Sequence, residues 1–141
     1  MENIQKIKDN SHYRLTFKKV ERLCSKKVIE SLFTNGDSFY VYPLKFVFLN
    51  TQLPFKVPLQ AGFSVSKRTF KKAVQRNFLK RRMREAYRLN RHDLHNVLKF
   101  SNLQLAVFVV YSAKETNDYQ VIEKAMVKGL AKLCTIQKAT S

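Results

Sequence analysis

Apolar residues recur along this chain in two spacings, one typical of helices and one typical of strands. The first helical stretch follows Ser25, a favourable N-cap residue, and precedes Gly36, a favourable helix stop. Its apolar residues are Val28, Ile29, Leu32 and Phe33. This spacing predicts a helix over 26–35.

Four segments that are dense in β-branched and aromatic residues predict strands. Three of them come early in the chain: SFYVY at 38–42, LKFVFLN at 44–50 and LQAGFSVS at 59–66. Pro43 separates the first two, and the polar segment at 51–58 is predicted to be a loop. The fourth, LQLAVFVVYS at 103–112, is a continuous apolar run, which is typical of a central strand covered on both faces.

Helical spacing returns from Phe70 to about Asn90. On a helix with about 100° per residue, two arcs of this segment differ in chemistry. The apolar arc contains Leu79, Met83, Ala86 and Tyr87. The polar arc contains Asn77, Lys80, Arg81, Arg84 and Arg88. The apolar side of this helix is therefore expected to pack against the rest of the protein, and the charged side is expected to face solvent.

A final helix is predicted from near Asn117, where Gln120 completes a capping box. It is expected to pack through six apolar residues: Val121, Ile122, Ala125, Met126, Leu130 and Leu133. The segment at 91–102 is expected to be a connection with a short helical turn. The order α-β-β-β-α-β-α predicts an α/β (α+β) two-layer sandwich with helices packed on a sheet. One domain over 1–141 is expected, with 1–12 as a mobile basic leader.

The charge of the chain points to a class of partner. The 141 residues include 27 basic and 10 acidic side chains, which give a net charge of +17 and a pI near 10.1. Such a surface attracts polyphosphate, because neutralised phosphates release condensed counterions. No apolar run approaches the roughly 20 residues that span a bilayer, and the N-terminus has no signal-peptide core, so a cytoplasmic protein is expected.

The sequence shows no catalytic apparatus. The ten acidic residues are scattered singly, whereas a two-metal nuclease needs several converging carboxylates. GFSVS at 62–66 does not meet the G-x-S-x-G pattern, and the three glycines form no phosphate-binding loop. His92 and His95 lie in a polar connection, where histidines are usually solvated. We therefore predict neither a catalytic residue nor a metal site in the protein itself.

Eleven basic residues fall between the third predicted strand and the end of the next helix: Lys67, Arg68, Lys71, Lys72, Arg76, Lys80, Arg81, Arg82, Arg84, Arg88 and Arg91. The arginine guanidinium suits phosphate and stacks on bases, and a helix fixes the spacing of several such groups. This pattern predicts a surface for folded RNA or DNA. Two alternatives stay open, a basic amphipathic helix on an anionic membrane and a merely solvated helix face.

Aromatic residues in the first two strands give a second, weaker signal. Phe46 and Phe48 share one face of their strand, and Phe39 alternates with Tyr40 and Tyr42. One of these faces offers a stacking platform for unpaired nucleotides, whereas core packing is the ordinary role of each ring.

The stretch AGFSVSKRTFKKAVQRNFLKRRMREAYR (61–88) resembles the bacterial ribonuclease P protein family. It is similar to the family's strand ending in G-x-S-V-S-K, a short basic link, and a helix with R-N-x-x-K-R-x-x-R-E. KKVIESLFTNG (26–36) resembles the family's first helix, and LQLAVFVVYSA (103–113) resembles its fourth strand. The resemblance covers residues 12–133.

The resemblance implies a subunit of the ribonuclease P ribonucleoprotein, an endoribonuclease that removes the 5′ leader of precursor tRNA. Its implied partners are precursor tRNA and the ribonuclease P RNA, which carries out catalysis and binds most of the Mg2+. Neither DNA nor a membrane is expected as a partner. The implied fold has a four-stranded mixed sheet whose parallel strands are joined by a left-handed crossover, against the usual right-handed rule.

The resemblance implies two binding sites. Seven residues match the family position by position: Lys67, Arg76, Asn77, Lys80, Arg81 and Arg84 for the catalytic RNA, and Phe33 for the leader. The other expected site residues come from the charge and aromatic patterns above. The residues expected to contact the catalytic RNA are Lys67, Arg68, Arg76, Asn77, Lys80, Arg81, Arg84 and Arg88. The leader is expected in a cleft between the first helix and the sheet, lined by Phe33, Phe46 and Phe48. Phe78 stands where the family usually has a second arginine, a contact that Arg82 is expected to take over. Ile29 stands where another phenylalanine is common.

Three other function classes stay open from the sequence. A ribosomal or ribosome-assembly protein would share the charge and the α/β form but would bind rRNA without a preference for precursor tRNA. A DNA-binding regulator would need a recognition helix, and no helix-turn-helix partner precedes the basic helix. A protein nuclease acting alone would need clustered carboxylates.

Overall fold

The structure is a computed structural model that describes residues 17–140. The described part contains four α-helices: α1 (Lys26–Asn35), α2 (Ala73–Asn90), α3 (His92–Phe100) and α4 (Tyr119–Thr140). It also contains four strands: β1 (Asp37–Val41), β2 (Leu44–Asn50), β3 (Leu59–Val65) and β4 (Leu105–Tyr111). A 3-10 turn, Lys19–Glu21, precedes α1. The expected leader, 1–12, lies outside the described residues.

The four strands form one mixed sheet in the order β1-β2-β4-β3. β2 lies antiparallel to β1 and to β4, and β3 lies parallel to β4. Parallel neighbours need a long crossover connection, which α2 and α3 supply. The predicted α/β (α+β) fold with a four-stranded mixed sheet is thereby confirmed. The left-handed sense of the crossover stays a prediction.

Alternating side chains along each strand divide the sheet into two faces. On one face, Phe46 and Phe48 of β2 join the main core with residues of α2 and α4. On the other face, Val47 and Leu49 of β2 pack with Leu32 of α1 in a smaller core. α1 therefore lies on the opposite face from α2 and α4, and this decides which side chains each surface contains.

α4 approaches the sheet closely at Gly129, where an added Cβ would overlap the Phe46 ring. Phe46 stacks on Phe39, with ring centroids 5.1 Å apart and an interplanar angle of 15°. Because Phe46 has 0% of its surface exposed, its ring has no free space to move into. Packing therefore outweighs the cost of glycine in a helix, which is up to about 1 kcal/mol relative to alanine.

The structure confirms the bounds of α1 and changes four other predictions. The segment after α2 is the nine-residue helix α3, because Leu94 and Leu98 lie one turn apart and are fully buried. α2 begins at Ala73 rather than at Phe70, and α4 begins at Tyr119 rather than near Asn117. Val121, which was expected to pack, is 37% exposed, since it lies outside the buried stripe of α4.

A buried ion pair ties the 3-10 turn to the helical layer. Arg91, at the junction of α2 and α3, is 3% exposed, and its Nη2 donates to Glu21 Oε2 at 3.0 Å. Just after Glu21, Leu23 N donates to Ala61 O of β3 at 3.0 Å. These contacts hold the segment before α1 against the sheet, beside α2. Arg91 is thus part of the fold rather than of an exposed basic surface.

Gly129→Ala is expected to destabilise the fold by about 1 to 3 kcal/mol, because the new methyl group would overlap the ring of Phe46 and force it to move. Urea unfolding should show a lower midpoint with an unchanged m-value. Lys128→Ala is the control, since Lys128 is exposed on the same helix, and it should change stability by less than about 0.5 kcal/mol. Equal stability of the Gly129→Ala and wild-type chains would show that the Phe46 ring is not confined.

Candidate nucleic-acid interface

α2 has a packed side and a charged side, as its sequence predicts. Leu79, Met83, Ala86 and Tyr87 are at most 1% exposed. Burial raises the pKa of Tyr87 far above its usual value. On the charged side, Asn77, Arg81 and Arg84 are exposed, whereas Lys80 and Arg88 are half-buried.

Lys67 and Arg68 extend this charge from the end of β3, and both are exposed. The loop that carries them is anchored, because Phe70 N donates to Ser66 O at 3.0 Å. The buried Phe70 ring also meets the Tyr111 ring edge-on, with centroids 5.8 Å apart. We call this set of six cations and one amide the basic surface: Lys67, Arg68, Asn77, Lys80, Arg81, Arg84 and Arg88.

Arg76, which is expected to contact the RNA, also makes hydrogen bonds within the protein. Its Nη1 donates to the backbone oxygens of Phe70 at 2.8 Å and Lys71 at 2.9 Å. The guanidinium therefore binds the loop before α2, at a helix start where the N-cap residue Lys72 makes no side-chain hydrogen bond. Arg76 therefore holds the two parts of the basic surface together, and its contact with the catalytic RNA stays a prediction.

Arg88 is partly engaged by the one acid of α2. Its Nη2 donates to Glu85 Oε1 at 2.6 Å. This hydrogen bond lowers the pKa of Glu85 and raises the pKa of Arg88. The pair lies at the surface, where solvent screening keeps such pairs weak, so a phosphate can compete for Arg88.

Arg81 and Arg84 form no ion pair with any acid in residues 17–140. The same holds, over that range, for Lys67, Arg68 and Lys80. The basic surface therefore keeps an excess of positive charge that the described part of the chain does not neutralise.

A groove of about 400 Å³ borders the charged side of α2. Its lining consists of Phe17, Arg22, Arg81, Arg84, Glu85 and Arg88. Phe17 packs edge-on against Tyr87 at a centroid distance of 5.6 Å, and the Arg22 guanidinium carbon lies 5.7 Å from the Phe17 ring centroid. Sequence reasoning missed Phe17 and Arg22, because the segment before α1 has no periodicity. The only feature of this segment that could have indicated a binding site is an aromatic residue among basic ones.

A second surface lies beside α1, on the face of the sheet that α4 does not cover. Phe33 is 53% exposed, and its ring meets Phe108 of β4 edge-on at a centroid distance of 5.3 Å. In the neighbouring row, the strand register aligns Tyr40, Lys45, Val110 and Ser64 across the sheet. Tyr40 is 55% exposed, and Lys45 is exposed. We call Phe33, Phe108, Tyr40 and Lys45 the cleft.

Phe46 and Phe48, expected in the cleft with Phe33, lie on the other face of the sheet. They are 0% and 8% exposed, and they belong to the main core under α4. Both are core residues and are removed from the candidate leader site. The rings on the sheet face that carries α1 are instead those of Tyr40 and Phe108. The alternation of Phe39 with Tyr40 was the signal that could have found this face.

Arg82, which is expected to take over the contact of the family arginine that Phe78 replaces, makes two contacts within the protein. Its Nη1 donates to Asn117 O at 2.8 Å, and its guanidinium carbon lies 4.1 Å from the Phe78 ring centroid. Arg82 is therefore held within the protein. Ile29, at the other departure from the family pattern, packs against the smaller core.

Both surfaces consist mainly of cationic and aromatic side chains, and two other kinds of feature are absent from the described residues. Within 17–140, no three His, Cys, Asp or Glu side chains lie together as a metal-binding group. None of the helices in that range combines the length and the apolar character needed to cross a membrane.

A family model described as Ribonuclease P matches residues 17–134. A ribonuclease P protein component of Porphyromonas gingivalis is 36% identical over 115 residues, which cover 82% of this chain and 84% of the relative. A ribonuclease P protein component of Chlorobium phaeobacteroides is 30% identical over 119 residues, which cover 77% of this chain and 82% of the relative.

Two solved structures show the same fold at low sequence identity. The Staphylococcus aureus RNase P protein has a TM-score of 0.57 and 22% identity, over 80% of this chain and 96% of that chain. The Thermotoga maritima RNase P protein has a TM-score of 0.62 and 21% identity, over 79% of this chain and 96% of that chain. A ribosomal or ribosome-assembly role is not favoured by these matches. The chain belongs to the ribonuclease P protein family and is thus the protein subunit of an endoribonuclease ribonucleoprotein in which the RNA performs catalysis.

Proposed function

We propose that the basic surface binds the ribonuclease P RNA. The observation that carries this assignment is the exposure of Arg81 and Arg84 on one helix face, with no acidic partner in residues 17–140. Residues three apart on a helix are neighbours, so both guanidinium groups reach the same stretch of phosphate backbone. Lys67 and Arg68 continue the charge beyond the start of α2, where Arg76 fixes the loop.

We propose that the cleft binds the single-stranded 5′ leader of precursor tRNA. Single strands bind where aromatic rings stack on bases and cations neutralise phosphates. Phe33, Phe108 and Tyr40 supply rings on one face of the sheet, and Lys45 supplies a cation in the same row as Tyr40. Phe33 and Tyr40 are each more than half exposed, so bases can reach them.

The two surfaces have separate tasks in this proposal. The basic surface neutralises phosphate, which lowers the repulsion between two polyanions, the catalytic RNA and the precursor tRNA. The cleft contacts the leader, which mature tRNA lacks. Binding in the cleft therefore favours substrate over product without any contact to the tRNA body.

We propose that the metal ions with which ribonuclease P works are Mg2+ and that the RNA holds most of them. Mg2+ prefers oxygen ligands and water, often with phosphate, which an RNA supplies. In support, the chain belongs to a family of ribonucleoprotein subunits in which the RNA performs catalysis. The basic surface then neutralises phosphates that the ions leave uncovered.

We also propose that the protein works in the cytoplasm. Both of its RNA partners are made and processed in that compartment of bacteria, and bacterial relatives supply the family match. Neither DNA nor a membrane is part of this proposal.

Replacing Arg81 and Arg84 by alanine is expected to weaken binding to the ribonuclease P RNA by at least about tenfold, because two charged donors to phosphate are lost. The slope of log affinity against log salt concentration should become shallower by about 0.7 to 0.9 for each lost phosphate contact. Filter binding over a salt series measures both quantities. Thermal stability should change little, since both side chains are exposed.

The matched control is the double alanine variant of Lys124 and Lys128, which are exposed on α4 and carry the same total charge. It should bind the RNA within about twofold of the wild-type chain, because neither lysine belongs to the basic surface. Equal losses in the two double variants would mean that binding follows net charge and not the basic surface.

Phe33→Ala is expected to weaken binding of the assembled ribonucleoprotein to precursor tRNA by about fivefold or more, because a stacked base loses its platform. Binding to mature tRNA should not change, since it has no leader. Fluorescence anisotropy with both tRNAs measures the difference.

Phe55→Ala is the control for Phe33→Ala, because Phe55 is 52% exposed, close to the exposure of Phe33, and lies in the loop before β3. It should leave both affinities unchanged. If Phe33→Ala weakens binding of precursor and mature tRNA equally, Phe33 does not belong to a leader site.

A further inference from the structure

An apolar stripe runs along α2 next to the basic surface. Val74 and Phe78 lie one turn apart and are 79% and 48% exposed, and Arg82 follows one turn later. Residues at i, i+4 and i+8 share a helix face. Arg81 lies beside this stripe and belongs to the basic surface, so apolar and charged groups meet at one edge of α2.

The Phe78 ring is held in place by contacts within the protein. The guanidinium carbon of Arg82 lies 4.1 Å from the Phe78 ring centroid, within the range of a cation–π contact. Arg82 Nη1 in turn donates to Asn117 O at 2.8 Å. Asn117 Nδ2 donates to the hydroxyl of Tyr111, which is 2% exposed, at 2.7 Å. This chain of contacts anchors an exposed ring to the end of the central strand β4.

The same ring lines a groove of about 450 Å³ between α2 and the β4–α4 loop. The lining consists of Val74, Gln75, Asn77, Phe78, Arg81 and Thr116. The groove therefore has an apolar aromatic wall, amide groups that can donate and accept hydrogen bonds, and a cation at its edge. A volume of this order is typical of sites for small organic groups.

We propose that this groove binds an unpaired nucleobase of the ribonuclease P RNA, stacked on Phe78, while Arg81 holds an adjacent phosphate. The assignment rests on the proposed docking of that RNA on α2. A base on the free side of the ring completes a stack whose other side is the Arg82 guanidinium, and arginine contributes to such stacks.

The charges around the groove favour RNA over an apolar protein segment as the occupant. In addition to Arg81, three exposed lysines lie within three residues of the lining along the chain: Lys71, Lys72 and Lys114. Of the acids nearest along the chain, Glu85 pairs with Arg88 and Glu115 accepts a hydrogen bond from Tyr42, whereas Asp118 is exposed. An apolar surface inside a positive field suits a ligand that is flat, unpaired and attached to phosphate.

The test compares Phe78→Leu with Phe78→Tyr in the full chain, using a transcript of the ribonuclease P RNA from the same organism as the probe. Leucine keeps the apolar contact with the helix but removes the aromatic face, so affinity should fall by about 5- to 150-fold. Tyrosine keeps the face and should bind within about twofold of the wild-type chain. The salt slope should be unchanged in both variants, because no phosphate contact is removed.

Phe100→Leu is the control, because Phe100 is 94% exposed at the end of α3 and lies outside the groove. It should bind as the wild-type chain does. Wild-type affinity in Phe78→Leu, with the expected loss in the double alanine variant of Arg81 and Arg84, would overturn the base site and leave the proposed function intact. No loss in either variant would reject the docking of RNA on α2 and with it the base site.

Ultraviolet crosslinking of the complex gives a readout that a change in folding cannot imitate. Bases in contact with an aromatic ring form zero-length crosslinks, which mass spectrometry assigns to a residue. A nucleotide crosslink at Phe78 and none at Phe100 supports the proposal. Absence of a crosslink at Phe78 in a complex that crosslinks elsewhere, together with wild-type affinity of Phe78→Leu, contradicts it.

Discussion

The packing of α2 against the sheet and α4 determines the chemistry on the opposite side of that helix. Leu79, Met83 and Ala86 have no exposed surface, so the rotation of α2 about its axis is set by the core. Arg81 and Arg84 must then face solvent, close to one another, whatever repulsion this costs. The free energy gained by burying the apolar side of α2 thus keeps the arginines close together. In a flexible peptide, the same charges would move apart because they repel one another. A phosphate backbone finds the cations already positioned.

Some cations of the chain are bound within the protein, and these contacts determine the geometry of the interface as much as the exposed cations do. Arg76 closes the loop before α2, Arg91 fastens the 3-10 turn through Glu21, and Arg82 supports Phe78. Each of these contacts orders a segment next to the basic surface. The chain therefore uses part of its excess charge internally to fix the geometry in which the remaining charge is presented.

A sequence pattern predicts the structural features that depend only on residues close together in the chain. This explains which expectations were met. The bounds of α1 and the two sides of α2 follow from residues three and four apart, which are neighbours on a helix whatever the rest of the chain does. Alternation along β2 separates Phe46 from Val47, but only the distant helix α4 decides that the Phe46 face is buried. The engagement of Arg76 depends likewise on the path of the loop before α2, which periodicity does not contain.

The central claim is that Arg81 and Arg84 are free in the folded protein and covered by RNA in the ribonucleoprotein. Modification of arginines by phenylglyoxal, followed by mass spectrometry, tests it directly in the free chain and in the complex with the ribonuclease P RNA. Arg81 and Arg84 should react in the free chain and be protected in the complex. The buried Arg91 should be unreactive in the free chain and in the complex. Two arginines that resist modification in the free chain, or that react equally in the complex, would contradict it.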